Sequence, residues 1–405
     1  MMIIEKSLKG RNMHYKTNTY TPSENNFPFW SRGFSLLLAG TLALLLSACG
    51  GSNGGNNGIA SASKAQCTLT QAEIDALTPD DKLPAGCEFL EVPPIVGLFI
   101  LGTEIDAAGD LKLYVNGVKR NGTPMTLTDF ERAAVTVDGV TVNRFDDWDV
   151  DDADGDVLSL VTLADYSSSI SLADLQGIGD LYDVVLDNAR PGFEAETINF
   201  STNPEDPYIV TKPEPLPNES SSWTTDLAAL KDANDYDAAF PRVNTPLFDA
   251  MGTGLLGPLD SINPLGDGLG LVERNRPATL LMVQSDGVDN ASLTISENQL
   301  VLLMDRCHTT PIMLGTFQLD TDIDKILEGR ATLENLAGTR GAFVNALNAS
   351  FLEAAITPFA ESLGNLVVFT LYKHTNFAGT TVRIEVDSLG ASATEPFDID
   401  GGCQI

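Results

Sequence analysis

Apolar and polar positions along this chain fall into blocks that predict two kinds of element. Between residues 93 and 143 the apolar runs are short. Val96-Gly97-Leu98-Phe99-Ile100-Leu101, Leu111-Lys112-Leu113-Tyr114-Val115 and Ala133-Ala134-Val135-Thr136-Val137 read as strands. Val115-Asn116-Gly117 and Val137-Asp138-Gly139 stand at strand ends and read as turns. This stretch is expected to form a small β module. From Val157 the pattern changes. Val157-Leu158-Ser159-Leu160-Val161-Thr162-Leu163-Ala164 is a continuous run of strand length, as expected for a strand buried on both faces. Leu172, Leu175, Ile178, Leu181, Val184 and Val185 follow at helical spacing. Further strands are expected at 195–201, 207–210, 278–284, 311–317 and 342–344, and helices at 226–230, 297–306 and 333–337. Pro246 predicts another helix, because its missing N–H costs nothing in the first turn. Alternating strands and helices predict an α/β fold with a doubly wound, mostly parallel sheet. Beyond residue 347, a helix is expected at 351–360. Strands at 366–372 and 380–386 are expected to form a C-terminal β-hairpin packed with the N-terminal β module.

The N-terminus shows a third pattern. Residues 1–33 are polar and include Lys6, Lys9, Arg11, Lys16 and Arg32. The apolar run that follows, roughly 13 to 15 residues, is too short to span a bilayer comfortably and right for a signal peptide. It ends in Leu46-Ser47-Ala48-Cys49, which resembles the bacterial lipoprotein cleavage box. The resemblance implies removal of residues 1–48 and lipidation of Cys49. An ordinary signal peptide cut after Ala48 and a transmembrane anchor are the alternatives. Gly50, not Asp, follows the cysteine, so the expected address is the outer membrane. Residues 49–65 are rich in Gly, Asn and Ser and read as a flexible tether.

The chain has 405 residues, with 56 Asp and Glu against 24 Lys and Arg, a formal charge of -32. No basic surface is available to neutralise phosphates, which excludes a nucleic-acid partner. Four cysteines remain beside Cys49, an even number in an oxidising compartment. Cys67 and Cys87 bracket a short segment with two turn signals, so they are paired, defining a disulfide-closed segment at 66–92. Closing that loop contributes about 3 kcal/mol in the chain-entropy model. Cys307 with Cys403 would pin the tail to the main domain, and zinc is disfavoured because no Cys-x-x-Cys occurs. The acidic run 146–156 cannot be an EF-hand loop. With Gly155 at position 6, the ligating ends fall on Val150 and Val161. It reads as a solvated linker, closing a β module at 93–152.

The candidate chemistry lies at the end of the apolar run that starts at Val157. Asp165-Tyr166-Ser167-Ser168-Ser169 places a carboxylate and two hydroxyls at i, i+2 and i+4 in the loop leaving a central strand. Oxygen-only ligands there suit a hard divalent cation such as Mg²⁺. Two further loops, at Thr245 and Asp286, reach the same sheet edge. With Asn244-Thr245-Pro246-Leu247-Phe248-Asp249-Ala250 and Ser285-Asp286-Gly287-Val288-Asp289-Asn290, these residues resemble the von Willebrand factor A domain. The resemblance covers residues 153–347 and leaves 348–405 as a tail. It implies a metal-ion-dependent adhesion site. Ser167, Ser169 and Thr245 would ligate through hydroxyls, and Asp165 and Asp286 directly or through water. The ion, Mg²⁺ or else Mn²⁺ or Ca²⁺, would keep one position open for a carboxylate of a partner protein. The departure is Ser285 where the family usually has Thr. Tyr166 is open to two readings, a rim contact or a packing role. The functional expectation is a membrane-anchored, extracytoplasmic protein-binding module, used in adhesion or envelope assembly, and not an enzyme. The alternatives are an envelope protein whose metal only stabilises the fold, and a hydrolase with a serine nucleophile. The hydrolase needs a base, and His308 and His374 lie outside the loops facing this edge.

Overall fold

The computed structural model describes residues 95–201, 209–211, 223–235, 242–259, 270–274, 276–317, 323–372, 380–386 and 391–397. The leader and Cys49, the 49–65 tether, Cys67, Cys87, His374 and Cys403 lie outside the described residues. The lipidation and both expected disulfides therefore stay as sequence expectations.

The β module opens the described chain. β1 (Gly97–Ile105) and β2 (Leu111–Val118) form an antiparallel hairpin. A short helix α1 (Leu127–Phe130) leads to the hairpin of β3 (Ala134–Val137) and β4 (Val140–Val142), and β5 (Trp148–Asp152) follows. Asp138 and Gly139 make the β3–β4 turn with φ of 50° and 76°, the paired positive angles of a tight primed turn. The other expected turn does not exist. Asn116 and Gly117 lie inside β2, opposite Phe99 and Leu98. Asn116 is buried and its Nδ2 donates to Ser362 Oγ at 2.8 Å. A Cβ on Gly117 would stand 2.7 Å from Met125 Sδ, so this glycine serves close packing. The acidic run is also corrected, since part of it is β5. Trp148 and Val150 turn into the core while Asp151 and Asp152 face solvent. β5 ends its sheet, and outward carboxylates discourage further edge pairing.

The α/β unit follows in chain order. It comprises β6 (Leu158–Asp165), α2 (Leu172–Asn188), β7 (Glu194–Ser201), β8 (Ile209–Thr211), α3 (Leu227–Asn234) and α4 (Leu247–Leu256). It continues with β9 (Ala278–Ser285), α5 (Glu297–Arg306), β10 (Thr310–Thr316), α6 (Ile323–Ala337) and β11 (Ala342–Ala346). The six-stranded sheet has the order β11-β10-β9-β6-β7-β8. β11 to β7 run parallel, and β8 lies antiparallel on the edge. Every residue of β6, β7 and β9 is buried, as helices on both faces require. Leu158, Leu160 and Ala164 enter the core shared with α2, while Val161 and Leu163 enter the core shared with α4. Leu175, Ile178, Leu181 and Val185 of α2 face the core as their spacing predicts. Leu172 does not; it is 51% exposed, in the first turn where the helix rises past the sheet. β6 sits between β9 and β7, so the strand order reverses beside it. That reversal opens a crevice at the carboxyl ends of β6 and β9.

The tail comprises α7 (Ala349–Leu363), β12 (Val367–Leu371), β13 (Thr380–Val386) and β14 (Ala391–Phe397). A C-terminal hairpin forms, but from β13 and β14. β12 inserts between β2 and β5, and β13 pairs with β3. Two four-stranded sheets, β1-β2-β12-β5 and β14-β13-β3-β4, thus make one sandwich from both ends of the described chain. The Phe369 ring of β12 stacks on Trp148 at 5.5 Å and meets Phe130 edge-on at 6.0 Å. The tail therefore completes the core of the β module, and the expected boundary between 93–152 and 348–405 is not a structural one.

At the amino end of the parallel sheet, Glu194 is locked into place. Arg274 Nε and Nη2 donate to its two carboxylate oxygens at 2.8 and 2.6 Å, and Ser159 Oγ donates at 2.7 Å. The Arg274 guanidinium lies 4.8 Å from the Trp223 ring centroid. Burial pushes the Glu194 carboxyl up, but Arg274, Ser159 and Arg276 outweigh it and hold it below the ordinary glutamate range. A carboxyl lowered by folding contributes stability above its unfolded-state pKa and loses it as pH falls through the folded value. Glu194→Gln is expected to destabilise the fold by about 2 kcal/mol near neutral pH, because it leaves the partly buried Arg274 and Arg276 guanidinium groups without their carboxylate. Thermal melts of both proteins across pH should show the gap narrowing as pH falls below the ordinary glutamate range; a gap constant with pH would remove the ion pair as its cause.

Candidate metal centre

β6 carries Asp165 to the carboxyl edge of the sheet, where it is completely buried. Its Oδ1 accepts the Ser167 N–H at 2.8 Å, the Asx turn by which the chain bends out of the strand. Its Oδ2 accepts the Ser285 hydroxyl at 2.7 Å, from the last residue of the neighbouring strand β9. Ser285 Oγ also accepts the Gly287 N–H at 3.0 Å. The residue noted as a departure thus joins the two carboxylate loops, a role that a threonine hydroxyl would fill equally. The Ser167 and Ser169 hydroxyls lie 2.8 Å apart. Ser169 hydrogen-bonds the Asp286 carboxyl, and Val288 N–H donates to Asp286 Oδ1 at 3.0 Å.

Asp165, Ser167, Ser169 and Asp286 are therefore directly connected. Thr245 reaches the same edge by another route. It is buried just before α4, and its N–H donates to Asn290 Oδ1 at 2.9 Å while Asn290 N–H donates to Thr245 O at 3.1 Å. Pro246 occupies the cap position, one residue before its expected place inside the helix.

The electrostatics follow from this closeness. Burial pushes the Asp165 carboxyl well above the ordinary range, and the nearby Asp286 carboxylate pushes it further. Burial raises Asp286 as well, against the Ser169 hydrogen bond. Asp165 is fully buried and Asp286 partly so, and their closeness disfavours two negative charges, which Lys325 offsets only in part at Asp286. That is the condition a hard cation relieves. Among the described residues no group of three His, Cys, Asp or Glu is placed to hold a metal. Neutral hydroxyls complete this donor set instead, and its all-oxygen chemistry fits Mg²⁺, Mn²⁺ or Ca²⁺.

Several residues of the site carried no role in the sequence reading. Gln284 is buried; its Oε1 accepts the Asp165 N–H at 3.2 Å and its Nε2 donates to Thr316 Oγ1 at 2.8 Å. Arg242 Nη2 donates to the carbonyls of Ser167 and Ile170, and Ser168 Oγ donates to Val243 O at 3.0 Å. A glutamine at the end of an apolar strand was a visible signal. Arg242 offered none, because its contact lies 75 residues away in sequence. Tyr166, with 1% exposure, packs in the core and does not stand on the rim. His308 precedes β10, at the opposite end of the sheet from Ser167, where its Nδ1 lies 2.8 Å from Arg340 Nη2.

No protein-family model and no curated protein matches this sequence. Solved structures do match. The manganese-loaded TRAP protein of Plasmodium vivax aligns over 62% of this chain and 97% of its own, at 12% identity and a TM-score of 0.33. A von Willebrand factor type A structure from Catenulispora acidiphila aligns over 78% and 76%, at 10% identity and 0.36. The vWF domain of the type V pili tip protein Mfa5 from Porphyromonas gingivalis aligns over 52% and 96%, at 10% identity and 0.31. Similarity at this level carries no functional argument. The chain itself shows a doubly wound, mostly parallel α/β sheet with its oxygen-bearing loops at the carboxyl edge.

One close approach fixes the Asp286 loop from outside. Gly287 has φ of 77°, and a methyl group on Gly329 of α6 would collide with the Asp286 carbonyl oxygen. Alanine in mid-helix normally stabilises by about 1 kcal/mol over glycine. Gly329→Ala is expected to do the reverse here, lowering Tm and weakening Mn²⁺ binding measured by titration calorimetry. Unchanged binding in a folded Gly329→Ala protein would show that the loop is not held from this side.

Proposed function

We propose that this chain is a lipid-anchored, extracytoplasmic protein-binding module that captures a partner through a divalent ion held by Asp165, Ser167, Ser169, Thr245 and Asp286. The observation that carries this reading is the convergence of three loops on one sheet edge, the Asp165 and Asp286 loops joined through Ser285 and Ser169 and the Thr245 loop tied in through Asn290. A bound cation supplies a coordination position for a partner's carboxylate oxygen, a charge-assisted contact. The protein's own residues do the rest. The hydroxyls ligate without cancelling the ion's charge, and Gln284 and Arg242 hold the loop that presents Ser167 and Ser169.

The surroundings suit a protein partner. Leu172, in the first turn of α2 after the β6 loop, and Leu293, on the segment leaving β9, are 51% and 80% exposed. Apolar side chains beside a charged anchor give an interface desolvated contacts that a free anion would not use. Ser167 is assigned no catalytic role, since its hydroxyl pairs with Ser169 and the described histidine lies at the other end of the sheet. Attachment is assigned to Cys49, on the outer membrane, with the 49–65 tether carrying the folded part away from the surface. Among the described residues no helix is long and apolar enough to cross a membrane.

The raised, mutually repelling carboxylates also favour a second reading, in which the ion stabilises an envelope-assembly protein without touching a partner. Chelation separates the two. In EDTA, Tm is expected to fall and partner capture to be lost, with both restored by Mg²⁺, and Asp165→Ala is expected to be insensitive to either treatment. Capture that persists through chelation and in Asp165→Ala would leave only the stabilising role. The anchor has its own readout: labelled palmitate is expected to enter the wild-type protein and not Cys49→Ser.

A further inference from the structure

Asp249 lies on α4, four residues after Thr245, and is 1% exposed. Its Oδ2 accepts the Leu293 N–H at 2.7 Å, and its Oδ1 accepts the Thr294 and Ile295 N–H groups at 3.0 and 2.9 Å. Three successive amides thus converge on one buried carboxylate, each bond strengthened by its charge. The contacts run both ways. Ser292 Oγ accepts the Asp249 N–H at 3.0 Å and donates to Asp289 Oδ1 at 2.6 Å. Asp289 Oδ1 also accepts the Phe248 N–H at 3.3 Å. With the Thr245–Asn290 pair, the start of α4 and the 289–295 segment form one hydrogen-bonded unit. Asp286 stands just before that segment, and Thr245 just before that helix.

We propose that Asp249 is a positioning residue for the cation: its buried carboxylate joins the loop carrying Asp286 to the helix carrying Thr245, so both ligands meet the ion at a preset separation. This rests on the metal-binding reading above. Without the clamp, the loop must be ordered at the moment of binding, and the entropy of that ordering is subtracted from affinity. No other buried carboxylate on α4 could substitute among the described residues.

The test uses the mature full chain in detergent, with Mn²⁺ alone as the probe. Titration is done at a temperature where circular dichroism shows each variant folded. Asp249→Asn puts an NH₂ group, or a single oxygen, against three amide donors. It is expected to weaken Mn²⁺ binding by about tenfold or more, the usual scale for residues that orient metal ligands. Hydrogen exchange at Leu293, Thr294 and Ile295 is expected to accelerate in the same variant. Glu194→Gln, at the far end of the sheet, serves as the destabilised control, with a lower Tm and unchanged Mn²⁺ affinity. Ser292→Ala loosens the same unit more gently, is expected to weaken binding several-fold, and decides the matter if Asp249→Asn does not fold. Wild-type affinity in the folded clamp variants overturns the positioning role and leaves the metal site standing. A wild-type chain that binds no Mn²⁺ overturns both.

Discussion

A fully buried carboxylate, Asp165, and a partly buried one, Asp286, repel each other at one edge of one sheet, and much of the surrounding structure holds them there. Asp165 cannot leave, because it ends a strand buried on both faces and its backbone N–H is taken by Gln284. Asp286 cannot swing away, because Gly287 and Gly329 bring its loop against α6 with no room for a side chain between them. Folding alone does not favour such an arrangement, since desolvation raises both groups and their proximity raises Asp165 further. In the proposed function, a hard cation would turn this cost into binding energy. The hydroxyls of Ser167, Ser169 and Thr245 would then add oxygen donors without adding charge.

The topology explains why three distant segments can meet. The chain places β7 on one side of β6 and returns on the other with β9. Loops leaving β6 and β9 at their carboxyl ends therefore flank the reversal point, and α4 starts close enough for Asn290 to hold Thr245. The opposite edge does different work. There Glu194, Arg274, Arg276 and Ser159 form a compensated cluster, whose charges are paired within the protein. One edge of the same sheet pairs its charges within the protein, and the other brings two carboxylates of raised pKa together.

The sandwich is the second structural decision, and it ties the ends of the described chain together. β12 enters between β2 and β5, and Phe369 supplies the ring against which Trp148 and Phe130 pack. α7, which leads into β12, reaches the same module through Phe359, edge-on to Phe99 of β1 at 5.2 Å. The β module and the tail form a single support beside the α/β unit, so loss of the tail would remove core residues from the N-terminal module as well.

Local pattern determined much of this protein. The apolar runs of β6 and β9, the helical spacing of α2, and the alternation of strand and helix predicted the doubly wound sheet. The Asp165 loop, the Thr245 loop and the Asp286 loop were each legible as oxygen-rich turns at element ends. These features depend on neighbours in sequence: period, capping and turn chemistry. What tertiary structure decided depends on partners far apart. Asn116-Gly117 looks like a turn until Ser362 and Met125 are placed against it. The acidic run looks like a linker until β12 pairs with it and makes it an edge strand. Tyr166 sits among rim residues in sequence and in the core in space. Asp249 reads as one more acid on a helix until three amides from residues 293–295 close on it. Periodicity names the face a residue occupies; only the packed fold decides which distant backbone or side chain that face meets.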